Sequence, residues 1–386
     1  MKKSPSSKPN RSNHSKTSSR RELVKNTALL ALASQSLSSC QKSKTADESD
    51  SKRPSSKKIK WKMATTWPKN FPILGTGANK LAQYIDELSD GALKIKIYGA
   101  GELVPALEVF DAVSRGTIEM GHGASYYWQG KHEASSFFAA VPFGLTAQEI
   151  NAWISYGGGQ KLWDELYAPF GLKAFSAGNT GVQMGGWFNK EIRTVQDFKG
   201  LKMRMPGLGG KVLSRLGSAV VTLSGGEIFQ ALKSGNIDGT EWVGPFNDRA
   251  TGLHKAAKFY YWPGWHEPGT SIEALINKQA FEKLPKHLKL VVERACQAAN
   301  QDMLAEATYK NAQALKVLVE KDKVNLKKFP DDVLKKLKET SEEVVKEISN
   351  KNELSQRVFK SFKDFLNSSQ KWNEISEVSY AKARSL

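Results

Sequence analysis

Twice along this 386-residue chain, runs with a two-residue apolar period alternate with runs of helical period. In the first series 59-IKWKMATT-66 and 93-LKIKIYG-99 alternate as strands do. Between them, 74-LGTGANKLAQYIDELS-89 puts Leu81, Tyr84, Ile85 and Leu88 on one helical face. A helix over 104-VPALEVFDAVSRG-116 stopped by Gly116, and a short strand in 117-TIEMGHG-123, complete it. The pattern breaks across 137–154 and resumes. Strands are expected in 171–178 and 182–189, a loop then a strand in 196–207, a helix over 208–219, a strand at 220–224, a helix over 225–237 and a strand at 238–243. Strand and helix in alternation predict parallel sheets with helical crossovers. Two such series predict an α/β, two-lobed body with a ligand cleft between lobes that exchange strands. The body spans 60–354, its second lobe roughly 179–270, and ligands in such folds lie at the carboxyl ends of strands.

From Leu284 the pattern turns almost purely helical. Leu288, Val291, Val292, Ala295, Ala299 and Met303 form one stripe, and Cys296 on it reads as core filler. Residues 355–386 read as one amphipathic helix. Val358, Phe362, Phe365, Leu366, Trp372 and Ile375 return to one face, with Phe359 beside them. That face could pack on its own lobe or on a second subunit; the second is expected, making this a dimerisation helix.

The net charge of +18 invites a nucleic-acid reading, but its distribution argues against one. Residues 1–62 hold 16 of the 57 Lys and Arg and only 4 of the 39 Asp and Glu, so the body is nearly balanced. The basic N-terminal part reads as targeting. Within 1–39, 19-SRRELVK-25 resembles a twin-arginine export motif, and 27-TALLALAS-34 is too short to span a bilayer, which takes about 20 apolar residues. 37-LSSC-40 resembles a lipobox, with Cys40 the acylated residue of a mature N-terminus. Residues 40–59, rich in Ser, Lys and Asp without periodicity, read as a disordered tether. The body would then meet a membrane only through a lipid anchor. With Cys40 acylated, Cys296 is the only free thiol, and no disulfide framework is possible.

Chemistry concentrates in four places. 179-NTGVQMGGWF-188 flanks Gln183 with glycines, which permit close backbone approach or strained turns. Arg204, inside Met-Arg-Met, is a fork of donors in apolar company and wants an anion, from a ligand or from an internal ion pair. Glu241 and Trp242 end a short strand before Gly244-Pro245, and Glu267 lies in the breaker-rich 262-WPGWHEPG-269. Gln183, Glu241 and Glu267 would together offer hard oxygen ligands, suited to Na⁺ or Ca²⁺ rather than zinc. His122 and His132 lack a ligand spacing. There is no nucleophile elbow or P-loop, and 99-GAGELV-104 and 207-GLGGKV-212 fall short of a dinucleotide fingerprint. This favours binding over turnover and gives no reason to expect an organic cofactor.

Four segments in order, 176-SAGNTGVQMGGWFNKEI-192, 201-LKMRMPGLGG-210, 226-GEIFQALKSGNIDGTEWVGP-245 and 265-WHEPGT-270, resemble the extracytoplasmic solute-binding subunits of TRAP transporters. The subgroup they are most similar to binds 2-oxo acids such as pyruvate with a metal cation. The resemblance implies that Gln183 is the amide ligand, that Arg204 clamps the ligand carboxylate by two prongs, and that Tyr126 or Tyr127 lines the cleft. Asn179 and the ring of Trp242 join the substrate site. Glu241, the Trp242 carbonyl, Glu267 and Gln183 would hold Na⁺ or Ca²⁺. It also implies a membrane permease as partner, homodimers through the terminal helix, and a periplasmic location, with a 2-oxo or 2-hydroxy monocarboxylate as cargo. An aromatic-box receptor for a cationic ligand and an enzyme acting on an oxo acid are the competing readings.

Overall fold

A computed structural model describes residues 58–386. The export motif, Cys40 and nearly all of the tether lie outside the described residues. The strands are β1 (Ile59–Thr65), β2 (Leu93–Tyr98), β3 (Met120–Gly123), β4 (Leu172–Asn179), β5 (Gly186–Phe188), β6 (Lys202–Arg204), β7 (Ala219–Val221), β8 (Gly239–Thr240), β9 (Phe259–Trp262), β10 (Ser271–Asn277) and β11 (Asn325–Lys328). They form two sheets, in the orders β2-β1-β3-β10-β4 and β11-β9-β5-β8-β6-β7.

Neither sheet is purely parallel, which corrects the expectation from strand–helix alternation. In the first sheet β10 runs against both β3 and β4, and in the second β5 runs against both β8 and β9. The reason is topological. The chain leaves the first sheet after β4 and enters the second as β5, then returns from β9 and re-enters as β10. A strand reached directly from the other sheet needs no helical crossover and can run in reverse. The second sheet also extends past the 179–270 interval, because β11 pairs with β9 in parallel register.

The two direct crossings, 180–185 and 263–270, lie side by side. Thr180 N–H donates to the Thr270 carbonyl at 3.1 Å, Gln183 N–H to the Glu267 carbonyl at 3.1 Å, and Gly185 N–H to the Tyr261 carbonyl at 2.7 Å. Glycine makes this approach possible. A Cβ on Gly264 would stand 2.2 Å from the Gln183 carbonyl oxygen, and one on Gly185 would stand 2.9 Å from that of Pro263. The glycines near Gln183 thus bring two chain segments together.

A third connection is the 35-residue helix Lys286–Glu320, about 52 Å long at 1.5 Å per residue. Leu288, Val292, Ala295, Cys296 and Ala299 are buried in the core of the first lobe, and Met303 and Ala307 in the cluster between the lobes. Burial pushes the Cys296 thiol up, away from reactivity.

The C-terminal segment is two helices, Glu353–Ile375 and Glu377–Ala383, where one was expected. At the break Ser376 leaves the helical backbone region, and its N–H and its hydroxyl both donate to the Trp372 carbonyl, at 3.0 and 2.8 Å. The body also leaves the groove that the sequence did not reveal. Val358 and Phe362 are buried in it, with Phe362 centred 5.5 Å from Phe137 and 5.3 Å from Trp153. Phe359, Phe365 and Leu366 are partly buried against the same core. Beyond them Trp372, Ile375 and Tyr380 are exposed. No helix among the described residues is long and apolar enough to cross a membrane.

Candidate functional site

The strands of the second sheet deliver the first two site residues. β6 and β8 are parallel neighbours with Arg204 opposite Thr240, so the side chains leaving their carboxyl ends meet. Arg204 is buried, and its Nη1 donates to the carboxylate of Glu241 and, at 3.1 Å, to the Glu241 carbonyl. Its Nε and Nη2 donate to the Leu223 carbonyl at 3.2 and 3.1 Å. Four of the five guanidinium N–H groups are therefore directed at the protein's own oxygens. The internal ion pair, one of the two partners the sequence allowed for Arg204, is present. The Arg204 guanidinium also sits 5.4 Å from the centre of the Trp242 ring.

The paired crossings deliver the rest. Gln183 Nε2 donates to Glu267 Oε2 at 2.7 Å and lies 3.1 Å from both Thr180 Oγ1 and Thr270 Oγ1. The Thr270 hydroxyl donates to the same Glu267 oxygen. His266 lies close to both acids, its Nε2 3.5 Å from Glu241 Oε2. Burial, reinforced by the nearby Glu241 charge, pushes the Glu267 carboxyl well above its ordinary range.

Aromatic rings from both lobes close over the group. Trp67, following β1, meets Trp242, following β8, edge to face at 6.4 Å between centres, and Phe71 reaches Trp242 at 5.9 Å. Tyr126 and Tyr127 are perpendicular to each other at 4.9 Å. Burial raises both phenols. Tyr127 reaches about 12 although the Arg204 charge pulls it down, so both remain neutral donors at physiological pH. Behind them, Trp67 Nε1 donates to His122 Nδ1 at 2.9 Å, and burial holds His122 neutral by lowering it to about 4.

Unpartnered atoms mark what this site is shaped to receive. Gln183 Oε1, Glu241 Oε2, Trp242 Nε1 and both ring nitrogens of His266 are buried with no hydrogen-bond partner among the described residues. Buried polar groups are nearly always paired, so several orphans around one point single it out as a candidate binding site. The arrangement fits a cation. Arg204 is paired with Glu241, Glu267 lies close by, and Gln183 and Glu241 each keep one buried oxygen without a partner. Asn179, at the end of β4, uses its Oδ1 to accept Gly181 N–H at 2.8 Å and leaves Nδ2 without a partner. Sequence reasoning passed over Trp67, Thr180, Thr270 and His266. Thr180, Thr270 and His266 lie in the same segments as Gln183 and Glu267, whereas Trp67 had no such signal.

Two lobes joined by paired crossings and a long helix, with a buried polar cluster where the crossings meet, define a binding-protein architecture. Residues 63–352 match the model of the bacterial extracellular solute-binding protein family 7, and the chain belongs to that family. It is 43% identical over 94% of its length, and 97% of the relative's, to a monocarboxylate 2-oxoacid-binding periplasmic protein of Nostoc sp.. A TRAP periplasmic solute-binding protein of Pseudoalteromonas atlantica, solved with sodium and pyruvate, is 41% identical. It covers 84% of this chain and 99% of its own, with a TM-score of 0.82. A TRAP solute-binding protein of Bordetella bronchiseptica, solved as a dimer with co-purified calcium and picolinate in one site, is 37% identical. It covers 85% of this chain and 99% of its own, also with a TM-score of 0.82. This chain is a solute-binding protein of TRAP transport, and the readings as an oxo-acid enzyme and as an aromatic-box receptor are set aside.

Proposed function

We propose that this chain captures a small 2-oxo or 2-hydroxy monocarboxylate, with pyruvate the representative, together with Na⁺ or Ca²⁺, and delivers it in the periplasm to a TRAP membrane permease. The observation that carries this reading is the cluster of unpartnered buried atoms on Gln183, Glu241 and His266 beside the Arg204 guanidinium. In this reading Gln183, Glu241, the Trp242 carbonyl and Glu267 hold the cation. Arg204, Gln183, Tyr126 or Tyr127 and Asn179 contact the organic anion, and the Trp242 ring covers it. Glu241 acts as a stand-in for the ligand. A buried arginine needs an anion, and Glu241 supplies it until an incoming carboxylate takes over Nη1. The Glu241 carboxylate then turns to the cation, whose charge offsets repulsion between ligand and acids. Cation and anion should therefore bind as a coupled pair.

Calorimetry with pyruvate, after exhaustive dialysis and with each cation restored in turn, tests this. Stoichiometric binding that depends on Na⁺ or Ca²⁺ is expected; binding indifferent to every cation overturns the coupled site. Export by the twin-arginine route, acylation at Cys40 and pairing of two chains through the terminal helix belong to the same proposal. Cys40→Ala should move the protein from the membrane to the soluble periplasmic fraction.

A further inference from the structure

An all-oxygen set of Gln183, Glu241, the Trp242 carbonyl and Glu267 favours hard ions, but the folded site holds a further donor. His266 is 2% exposed, and neither ring nitrogen has a hydrogen-bond partner among the described residues. A neutral imidazole carries one donor and one acceptor, so a dry, unpartnered ring is costly unless something else occupies it. The 3.5 Å between His266 Nε2 and Glu241 Oε2 is too long for a good hydrogen bond. It does suit two ligands of one ion. Bonds of about 2.1 Å at right or tetrahedral angles put neighbouring donors roughly 3.0–3.4 Å apart, and opposite donors about 4.2 Å apart. Glu241, His266 and Glu267 each offer one ligand atom, all within 4.8 Å of one another.

We propose that His266 Nε2 is a ligand of the cation and that the site therefore takes a first-row transition ion as well as hard ions. This rests on reading the pocket as a cation and oxo-acid site. Calcium is content with oxygen alone, whereas an imidazole beside two carboxylates is a donor set that Mn²⁺, Co²⁺ or Zn²⁺ accepts. A 2-oxo acid suits such an ion because its keto and carboxylate oxygens close a five-membered chelate. Of the protein donors, Gln183 Oε1 and Glu241 Oε2 remain free to bind.

The test uses the purified chain freed of ions by a chelator, then titrated with Co²⁺ or Ca²⁺ in the presence of pyruvate. Co²⁺ should bind with visible absorption bands and a hyperfine-shifted imidazole N–H proton in the ¹H spectrum, a signal that needs no variant. His266→Gln should abolish that proton and lower the ratio of Co²⁺ to Ca²⁺ affinity by at least about tenfold. A Co²⁺ complex without the shifted proton, or equal losses for both ions in the variant, overturns the proposal. A chain that takes Ca²⁺ with pyruvate but not Co²⁺ overturns this proposal alone. A chain that takes neither of these ions, nor Na⁺, with pyruvate overturns the cation reading beneath it.

Discussion

Arg204 shows why a residue in a binding site should be judged by its whole set of bonds. Lysine keeps the charge but has three donors on one nitrogen and cannot span the Leu223 carbonyl and Glu241 together. Charge-assisted hydrogen bonds contribute about 1.5–3 kcal/mol each. Arg204→Lys is therefore expected to weaken pyruvate binding roughly ten- to a hundredfold, measured by calorimetry; unchanged affinity would remove Arg204 from the site. A second buried residue lies outside the site. Glu273, in β10, accepts from the Trp128 indole and the Tyr167 hydroxyl, and burial raises its carboxyl to about 8. Between the ordinary value of 4.5 and about 8 the folded chain holds a proton that the unfolded chain has released. Stability must fall as pH rises through that window, by up to about 1.4 kcal/mol per pH unit from this group. Glu273→Gln keeps the shape and needs no proton. Melting temperatures at pH 5, 6.5 and 8 should show a shallower slope for the variant and a higher melting temperature than wild type at pH 8.

Among the elements, the helix Glu353–Ile375 divides into two halves with different tasks. Its first half is packed into its own chain, where Phe362 meets Phe137 and Trp153. Phe362→Ala should cost about 3–5 kcal/mol of stability in urea denaturation, as for other large core truncations. Its second half leaves Trp372 64% and Ile375 72% exposed, and these are the residues a second chain would cover. Changing both Trp372 and Ile375 to Asp should turn the proposed dimer into a monomer while hardly altering the melting of each chain. Light scattering at the mass of one chain for the unaltered protein, at micromolar concentration, would instead exclude the dimer. Removal of the entire helix mixes both effects, because it also uncovers the core around Trp153.

At the scale of the molecule, the site lies where the lobes are tied together. Gln183 and Glu267 belong to the two adjacent crossings, while Arg204 and Glu241 come from the second sheet. The aromatic contact between Trp67 and Trp242 spans the closed cleft. Opening must separate those two indoles, so ligand and cation together should change tryptophan fluorescence and reduce the radius of gyration in solution scattering. Trp67→Ala should weaken pyruvate binding and diminish the fluorescence response. By linkage, whatever factor the cation adds to pyruvate affinity, pyruvate must add to cation affinity. A factor of one in both titrations would show that the two bind independently and do not share one site.

The local periods determined much by themselves. β1, β2 and the helix Leu74–Leu88 were readable because an apolar face repeats at two or 3.6 residues whatever it packs against. The two-lobed plan followed from two series of such runs, and the motifs around Gln183, Arg204, Glu241 and Glu267 marked where to look. Periodicity reports which side of an element is buried; it does not report the neighbour or the direction of approach. β10 is buried on both faces and carries no alternation, and β11, Asn-Leu-Lys-Lys, is short and mostly polar, so neither announced itself. That Glu241 pairs with Arg204 depends on β8 lying beside β6 in register, a contact across 37 residues. His266 gained its meaning only when the two crossings folded against each other and left its ring without a partner. Likewise, the phenylalanines of the terminal helix found a groove assembled from residues 137–153, more than 200 positions earlier. These were settled by the tertiary structure, because a buried polar or aromatic group is satisfied by whatever stands next to it in space.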